Sequence, residues 1–360
     1  MTLFIHDRPV GPSHPAFIIA EACDNHMGSL ETALEMVLQA KLAKADAIKF
    51  QHHLPDEEML PDTPMSDNFD EPLYDFLKKN ALTLEQHRHI KRYCDEIGIT
   101  YLCTPFSFVA AKELMSLDVP AFKIGSGEMT DIPSLQKIAA LQKPMIISTG
   151  MCTLDEIQRT YDVLSSSRIP IALLNCISEY PPAYEDMNLG VIKTMQQRFP
   201  NAVIGHSDHT PDIYTCFAAV TLGACIIEKH VILDKRTPGP DQTVSIDFRD
   251  LAELVDGIRK IESALGSKKK IHHREQSIRT WAFRSIVTMR AIKAGEVLLT
   301  DMLWTKRPGT GIPSHLLPQI LGRKAIKDME KNQLIGWDDI DGPMLAEQSL
   351  AMSSACESTI

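Results

Sequence analysis

Residues 202–209 read AVIGHSDH, and residues 225–230 read CIIEKH. Each stretch begins with a short, uninterrupted apolar run and becomes polar at its carboxyl end. Continuous rather than alternating hydrophobicity is typical of a strand that is buried on both faces, as in the parallel sheet of an α/β protein. The two stretches therefore predict parallel strands whose polar residues gather at one end of the sheet.

The same pattern recurs toward the amino terminus. In all, eight apolar runs occur, at residues 16–22, 45–50, 99–103, 121–124, 145–148, 171–176, 202–205 and 225–228. Helical segments fill the gaps, and Ser29, Thr83 and Thr153 are placed to cap three of them. Eight strand-and-helix units predict a (β/α)₈ TIM barrel, although an open doubly wound sheet could be built from the same units.

The barrel pattern ends with an amphipathic helix over 247–265. We therefore predict a barrel domain over 1–266. Residues 267–282 are polar and locally basic, which is typical of an interdomain linker. Short β-type runs with turns over 283–342 predict a small, strand-rich domain, and the Ser, Ala and Glu content of 343–360 predicts a flexible tail.

The composition excludes several classes of protein. The 360 residues include 37 Lys and Arg against 47 Asp and Glu, a net charge of −10 that argues against nucleic-acid binding. The start has no signal-peptide pattern, and no run reaches the roughly 18 apolar residues of a membrane span, so we expect a cytoplasmic protein. The eight scattered cysteines form no C-x-x-C pair and predict reduced, buried thiols.

Polar residues close every predicted strand at its carboxyl end. They are Glu21, Lys49 and Gln51, Thr104, Lys123 and Ser126, Ser148, Asn175 and Ser178, His206, Ser207, Asp208 and His209, and finally Glu228 and His230. In a barrel these ends surround one mouth, so residues that are distant in sequence converge on one site.

Two of these residues, Lys49 and Lys123, point to an anionic ligand. Burying an ammonium without a partner costs several kcal/mol, so the pair implies an anion between them. Nearby hydroxyls and glycines would suit a phosphate with a neighbouring carboxylate. The hydroxyls are those of Thr104, Ser126, Ser148, Ser178 and Ser207, and the glycines are Gly125, Gly127 and Gly150. Either lysine alone could instead pair with Glu21 or Glu128.

His209 and His230 end consecutive strands and can face each other across the mouth. Two such imidazoles suit a divalent transition metal acting as a Lewis acid, whereas one alone would more often be structural. Asp241 ends a rigid Pro-Gly-Pro loop that would hold its carboxylate over the mouth as a hydroxyl acceptor. Four other histidines are candidate metal ligands by residue type: His52, His53, His272 and His273. We expect them to be solvent-exposed or to lie in the linker.

The sequence resembles the N-acetylneuraminate (sialic acid) synthase family from about residue 16 to 341. The barrel motifs that carry the resemblance are IIAE at 18–21, NHxG at 25–28, KFQ at 49–51, TPF at 104–106, KIGSGE at 123–128, STGM at 148–151, SDHT at 207–210, EKH at 228–230 and PGPD at 238–241. KAGE at 293–296 and KRPGTGI at 306–312 resemble that family's antifreeze-like (SAF) domain, of the β-clip type.

This resemblance implies a synthase that condenses phosphoenolpyruvate with an open-chain N-acyl hexosamine, typically N-acetylmannosamine, to give N-acetylneuraminate and phosphate. It places the phosphoenolpyruvate on Lys49, Thr104, Lys123, Ser126, Ser148, Ser178 and Ser207. It makes His209 and His230 the ligands of a divalent metal, with Mn²⁺ ahead of Mg²⁺ or Co²⁺. The positions that face the sugar are Glu21, Gln51, Tyr180 and Asp241. Arg307 would reach the sugar's N-acyl group from the partner subunit of a domain-swapped homodimer.

The chemistry of that reaction assigns a role to Glu21, whose carboxylate is expected to stabilise the cation that forms at C2 or to orient water toward it. Two departures concern the sugar: Asn175 stands where the family often has histidine, and Cys23 and Asp24 replace small apolar residues. The runner-up product is therefore legionaminic or pseudaminic acid, made from a 2,4-diacetamido-2,4,6-trideoxyhexose. A metal-dependent barrel hydrolase and a non-catalytic sugar-binding protein are more distant alternatives.

Overall fold

The structure, a computed structural model, describes residues 1–64, 69 and 71–343. The strands are β1 (Leu3–Ile5), β2 (Arg8–Val10), β3 (Phe17–Glu21), β4 (Ala47–His52), β5 (Thr100–Pro105), β6 (Phe122–Ile124), β7 (Met145–Ser148), β8 (Ile171–Cys176), β9 (Val203–Asp208), β10 (Ile226–His230), β11 (Ser285–Thr288) and β12 (Leu303–Lys306). The helices are α1 (Leu30–Leu42), α2 (Pro55–Glu58), α3 (Leu73–Asn80), α4 (Leu84–Ile97), α5 (Phe108–Met115), α6 (Ile132–Ala139), α7 (Leu154–Ser165), α8 (Val191–Arg198), α9 (Tyr214–Thr221), α10 (Phe248–Ala264), α11 (His273–Ala282) and α12 (Leu317–Ile320).

Strands β3 to β10 form a closed parallel barrel. Closure is made by β10, which pairs with β3 on one side and with β9 on the other. A closed barrel has no edge strand, so the open doubly wound sheet is excluded. The predicted TIM barrel is confirmed, and each of the eight apolar runs coincides with one of its strands.

Alternation along each strand decides which side chains enter the barrel. In β3, Ile18 and Ala20 join the core between the strands and the helices, whereas Phe17 and Ile19 join a second core inside the barrel. Side chains two residues apart share a face, so Glu21 continues the inward row. The inward residues nearest the carboxyl ends are Glu21, Lys49, Gln51, Thr104, Lys123, Ser148, Cys176, Ser207, Glu228 and His230.

The amino end of the barrel is closed by a hairpin that the sequence did not predict. Strands β1 and β2 pair in antiparallel fashion, and their Leu3, Ile5 and Val10 pack with Phe17 inside the barrel. Burying aliphatic side chains of this size contributes about 1.5–3 kcal/mol each. Because each strand has three residues, the pattern is too short to be distinguished in the sequence.

Caps fix the starts of the barrel helices where the sequence predicts them. Ser29 accepts a hydrogen bond from the amide of Thr32, and both predicted capping boxes form, with Thr83 and Thr153 as the first residues. Each such cap contributes about 1 kcal/mol to helix stability. The last barrel helix is α10, which agrees with the prediction over 247–265.

The chain divides into two compact units between Gly266 and Ser267. In the second unit, β11 and β12 form a small antiparallel sheet over a core of its own that includes Ile286, Leu303 and Ile312. The predicted small β-rich domain is thereby confirmed. Helix α11 lies within the predicted linker and buries none of its residues. The predicted tail lies outside the described residues from 344 onward.

The predicted state of the cysteines is confirmed for the part of the chain that the structure describes. The described cysteines are free thiols, and all but Cys152 are buried. Cys356 lies outside the described residues. No described helix combines the length and apolar character that crossing a bilayer requires.

Candidate active site

A cavity of about 380 Å³ opens at the carboxyl ends of the barrel strands. It is lined by every barrel-domain residue to which the family resemblance assigns a role: Glu21, Lys49, Gln51, Thr104, Lys123, Ser126, Ser148, Ser178, Tyr180, Ser207, His209, His230 and Asp241. The predicted convergence on one mouth is therefore observed. A larger cavity, of about 680 Å³, lies near the amino ends of the strands, but its lining includes no lysine and few ionisable side chains.

The two predicted lysines lie in a network of buried charges. Lys49 Nζ is 2.6 Å from Glu21 Oε2 and 3.7 Å from Glu228 Oε2, and it donates to Thr104 Oγ1 at 3.1 Å. Lys123 Nζ donates to Ser148 Oγ at 2.8 Å and lies 3.4 Å from Glu228 Oε1. The carboxylate of Glu228 thus lies between the two ammonium groups that were expected to hold an anionic ligand.

The sequence places Glu228 at the mouth but assigns it no role in the site. It is two residues before His230 on β10, so it has the same inward orientation, and this spacing could have identified it. Ser207 Oγ donates to Glu228 Oε1 at 3.0 Å. Burial alone would raise the pKa of Glu228, but Lys123 and Lys49 outweigh it and lower that pKa.

Glu21 has the opposite protonation tendency. Burial raises the pKa of Glu21 to about 7, although Lys49 acts against this shift. Two neighbouring carboxyl groups whose pKa values are pushed apart are suited to different roles in proton transfer. Glu228 remains ionised at neutral pH, whereas Glu21 can gain or lose a proton near pH 7.

Small residues make room for hydroxyls at the ends of β6, β7 and β8. The amide of Gly150 donates to Ser126 Oγ at 3.0 Å. A β-carbon at Gly150 would overlap the hydroxyl of Ser178 and crowd that of Ser126, so the loop requires glycine there. This arrangement brings two hydroxyls close to one backbone loop, a geometry suited to phosphate oxygens.

Gln51 connects Glu21 to the loop after β3. Its Nε2 donates to Glu21 Oε1 at 3.1 Å and to Cys23 Sγ at 2.8 Å. Burial raises the pKa of Cys23 well above its usual value, and the carboxylates of Asp241 and Asp24 act in the same direction. Cys23 lines the cavity, as expected for a residue at the mouth, and acidic groups surround its thiol.

The two predicted metal-binding histidines face each other. Their ring centroids are 5.1 Å apart, and Tyr180 stacks on His209 at 4.3 Å. His209 Nδ1 lies 2.6 Å from the carbonyl oxygen of Ile177, so this nitrogen carries the proton. The lone pair of Nε2 then faces the Tyr180 hydroxyl at 3.1 Å. His209 is therefore held in the tautomer that leaves Nε2 available as a ligand.

A divalent cation fits this end of the cavity. His230 is buried, and its Nδ1 has no hydrogen-bond partner among the described residues. Burial lowers the pKa of His230 well below its usual value, so its ring is neutral, the form that binds metals. One ligand atom each from Cys23, His230 and Asp241 lies within 4.8 Å of the others.

The prediction that His52 and His53 are solvent-exposed is wrong. Both are buried, and His53 lines the cavity, stacked on Phe106 at 4.3 Å. His53 Nε2 contacts Gln51 Oε1 at 2.8 Å and its Nδ1 contacts Glu58 Oε1 at 2.9 Å. Burial opposes protonation, but the bond to Glu58 raises the pKa of His53. The prediction for His272 and His273, by contrast, is confirmed.

Three of the polar residues expected at the mouth do not line the cavity: Asn175, His206 and Asp208. Each alternates with a neighbour that faces inward, so its own side chain points toward the helices. Asp208 forms an ion pair with Lys229 at 2.9 Å, and both side chains are fully buried. Asp208 and Lys229 therefore stabilise the barrel wall.

Arg307 lies in the second unit. Its Nε donates to the carbonyl oxygen of Ala282 at 3.0 Å, and its guanidinium lies over the ring of Trp281 at 5.2 Å from the ring centre. These contacts join β12 to the end of α11 within that unit. The role of Arg307 toward a sugar stays a prediction.

Comparison with known proteins identifies the family. A model of the NeuB family matches residues 36–270, and a model of the SAF domain matches residues 283–341. The uncharacterized protein MJ1065 of Methanocaldococcus jannaschii is 42% identical over 94% of this chain and 98% of its own length. The N,N'-diacetyllegionaminic acid synthase of Legionella pneumophila is 37% identical over 93% and 97%.

A solved structure extends this agreement to three dimensions. The N-acetylneuraminic acid (sialic acid) synthetase of Leptospira borgpetersenii, solved in complex with citrate, superposes with a TM-score of 0.70. It is 31% identical and covers 77% of this chain and 95% of its own. The chain therefore belongs to the NeuB family and carries a SAF domain, which confirms the family resemblance of the motifs.

Proposed function

We propose that this chain is a nonulosonic acid synthase that condenses phosphoenolpyruvate with an open-chain N-acyl hexosamine, assisted by a divalent metal. The observation that carries the proposal is the pair of buried lysines, Lys49 and Lys123, that converge on one cavity with hydroxyls around them. Glu21 and Glu228 offset the cost of burying the two ammonium groups, and the open cavity gives an anionic ligand access to both of them. Membership of the NeuB family supports the same reaction.

The phosphoenolpyruvate site is proposed at Lys49, Lys123 and the hydroxyls of Thr104, Ser126, Ser148, Ser178 and Ser207. In the free protein, Glu21 and Glu228 pair with the two lysines. An incoming anion competes with those carboxylates for the same ammonium groups. Protonation of Glu21 would remove one of these competing charges, and its raised pKa makes that change accessible near pH 7.

The sugar is proposed to lie toward Gln51, Tyr180 and Asp241. The enol carbon C3 of phosphoenolpyruvate attacks the aldehyde carbon of the sugar, and protonated Glu21 gives its proton to the aldehyde oxygen. The resulting cation at C2 adds water, and phosphate then leaves with its bridging oxygen as C2 becomes the keto carbon. Having lost its proton in the first step, Glu21 accepts the proton of that water in this proposal. A divalent cation held by His209 and His230 would polarise the aldehyde when bound.

We propose N-acetylmannosamine as the first candidate sugar, with N-acetylneuraminate as the product. The alternative is a 2,4-diacetamido-2,4,6-trideoxyhexose leading to legionaminic or pseudaminic acid, and the identity to the Legionella pneumophila enzyme supports it. Asp24 and Cys23 lie at the cavity wall, where they can contact the substituents that distinguish these sugars. A metal-dependent hydrolase is the more distant alternative, because such an enzyme usually has more metal ligands and does not require two lysines at strand ends.

The remaining parts of the proposal concern the assembled enzyme. The family resemblance favours Mn²⁺ as the metal, with Mg²⁺ and Co²⁺ as alternatives. A homodimer would exchange its SAF domains so that Arg307 of one subunit reaches the sugar in the other. The enzyme would act in the cytoplasm, and its domains would be 1–266 and 283–342.

The test is incubation of the purified protein with phosphoenolpyruvate, Mn²⁺ and a panel of N-acyl hexoses. Phosphate release and product mass are measured for each sugar. We expect release that depends on one sugar and a product whose mass equals the sum of both substrates plus water minus phosphoric acid. Phosphate release without any sugar would support the hydrolase, and no release with any sugar would contradict the synthase.

A further inference from the structure

We propose that Cys23 is a thiolate ligand of the metal in this protein, together with His230 and Asp241, so that the centre prefers a thiophilic divalent cation. The inference rests on the proposed metal-assisted reaction. It predicts an order of metal affinities that differs from the preference for Mn²⁺ implied by the family resemblance. The site would hold Zn²⁺, Co²⁺ or Fe²⁺ more tightly than Mn²⁺ or Mg²⁺, because thiolate and imidazole are softer donors than carboxylate and water.

The first argument is the distance between the donor atoms. One ligand atom from each of Cys23, His230 and Asp241 lies within 4.8 Å of the other two. Three atoms that lie within 4.8 Å of one another are all within about 2.8 Å of a common point, whereas metal–sulfur and metal–nitrogen bonds are about 2.3 and 2.1 Å long. The three atoms therefore need to move by only a fraction of an ångström to share one ion.

The second argument is a buried imidazole nitrogen without a partner. His230 is 5% exposed, and its Nδ1 has no hydrogen-bond partner among the described residues. A buried polar atom that stays unpaired destabilises the folded protein. The same cluster contains the buried carboxylate of Asp241 and the buried thiol of Cys23. A cation bound there would pair the free nitrogen of His230 and would displace, into solvent, the proton of the Cys23 thiol that is now hydrogen-bonded to Asp241.

The third argument is the backbone conformation at Cys23. Its φ angle is +47°, in the left-handed region that glycine adopts without strain and other residues avoid. A cysteine at such a position is strained relative to glycine. The side chain is also held in place, because Gln51 Nε2 donates to Cys23 Sγ at 2.8 Å. A strained position with a fixed sulfur is consistent with a requirement for the thiol.

The test uses Co²⁺ binding to the full chain and needs no turnover. The metal-free protein is titrated with Co²⁺, bound metal is counted by equilibrium dialysis, and the near-ultraviolet sulfur-to-cobalt charge-transfer band is recorded. The test variants are Cys23→Ser and Cys23→Gly. The glycine variant relieves the strained φ angle, so loss of the band in this variant cannot be attributed to a folding defect. Cys152→Ser is the matched control outside the cavity, and Cys176→Ser tests the other thiol that lines it.

We expect one charge-transfer band in the wild-type protein and in both control variants, and its loss in both Cys23 variants. Loss of the thiolate should also weaken Co²⁺ affinity at least about tenfold while changing Mn²⁺ affinity less. Bound Co²⁺ without the band, a band that survives in the Cys23 variants, or failure of wild-type protein to bind Co²⁺ would each overturn the inference. Condensation with Mn²⁺ but no thiolate band would refute this inference alone. A thiolate band without condensation would refute the proposed function alone.

Discussion

Replacing Lys123 by methionine should weaken phosphoenolpyruvate binding strongly. The ammonium of Lys123 donates to Ser148 Oγ at 2.8 Å and lies 3.4 Å from Glu228, inside the cavity proposed to hold the substrate. A charge-assisted hydrogen bond of this kind contributes about 1.5–3 kcal/mol. Its loss corresponds to roughly a 10- to 150-fold rise in Kd. Methionine keeps the length of the side chain and removes only the charge and the donors.

The assay is calorimetric titration of phosphoenolpyruvate into the protein without sugar. Circular dichroism checks that the Lys123→Met variant is folded. We expect it to be folded, because Glu228 keeps Lys49 as a partner at 3.7 Å. Lys112→Met is the matched control, because Lys112 is exposed on α5. An unchanged Kd in a folded Lys123→Met variant would refute the assignment of this lysine to the anion site.

Three further predictions test other parts of the account. Phosphoenolpyruvate binding should take up a proton and weaken as pH rises through about 7, because the bound anion favours the protonated form of Glu21. Calorimetry in buffers of different ionisation enthalpy measures the proton uptake. Absence of proton uptake at pH 7.5–8 would contradict this prediction. Lys229→Met should lower the free energy of unfolding by about 3–5 kcal/mol, because Asp208 loses its buried partner. Urea denaturation measures this change, and a decrease below about 1 kcal/mol would contradict the prediction. Arg307→Ala should raise the KM for the sugar while leaving phosphoenolpyruvate affinity unchanged in steady-state assays, and equal effects on both would contradict its assignment.

The barrel could be predicted from the sequence because its strands are buried on both faces. Continuous apolar runs such as 145–148 and 171–176 are characteristic of that environment, and polar residues at their ends identify the mouth. The hairpin of β1 and β2 escaped prediction because three-residue strands carry no periodic signal. Helix α11 escaped prediction because it buries nothing, so it has no apolar stripe.

The sequence predicts which residues lie at the strand ends, because the apolar runs mark those ends. It predicts less well which of their side chains face the cavity, because that depends on the orientation of each side chain. Alternation within a strand separates Ser207 and Glu228, which enter the cavity, from Asp208, which faces the helices. His53 was assigned to the surface, although it follows β4 at the same end as Gln51. Its burial depends on Phe106 and Glu58, which are brought together only by the fold.

The most direct test of the central claim follows the bridging oxygen of phosphoenolpyruvate. Substrate labelled with ¹⁸O between C2 and phosphorus is incubated with the enzyme and its sugar, and the released phosphate is analysed by mass spectrometry. Addition of water to C2 followed by loss of phosphate predicts that the label leaves in the phosphate. Unlabelled phosphate would mean that water attacks phosphorus and that the bridging oxygen stays on C2, which would contradict the proposed addition of water to C2.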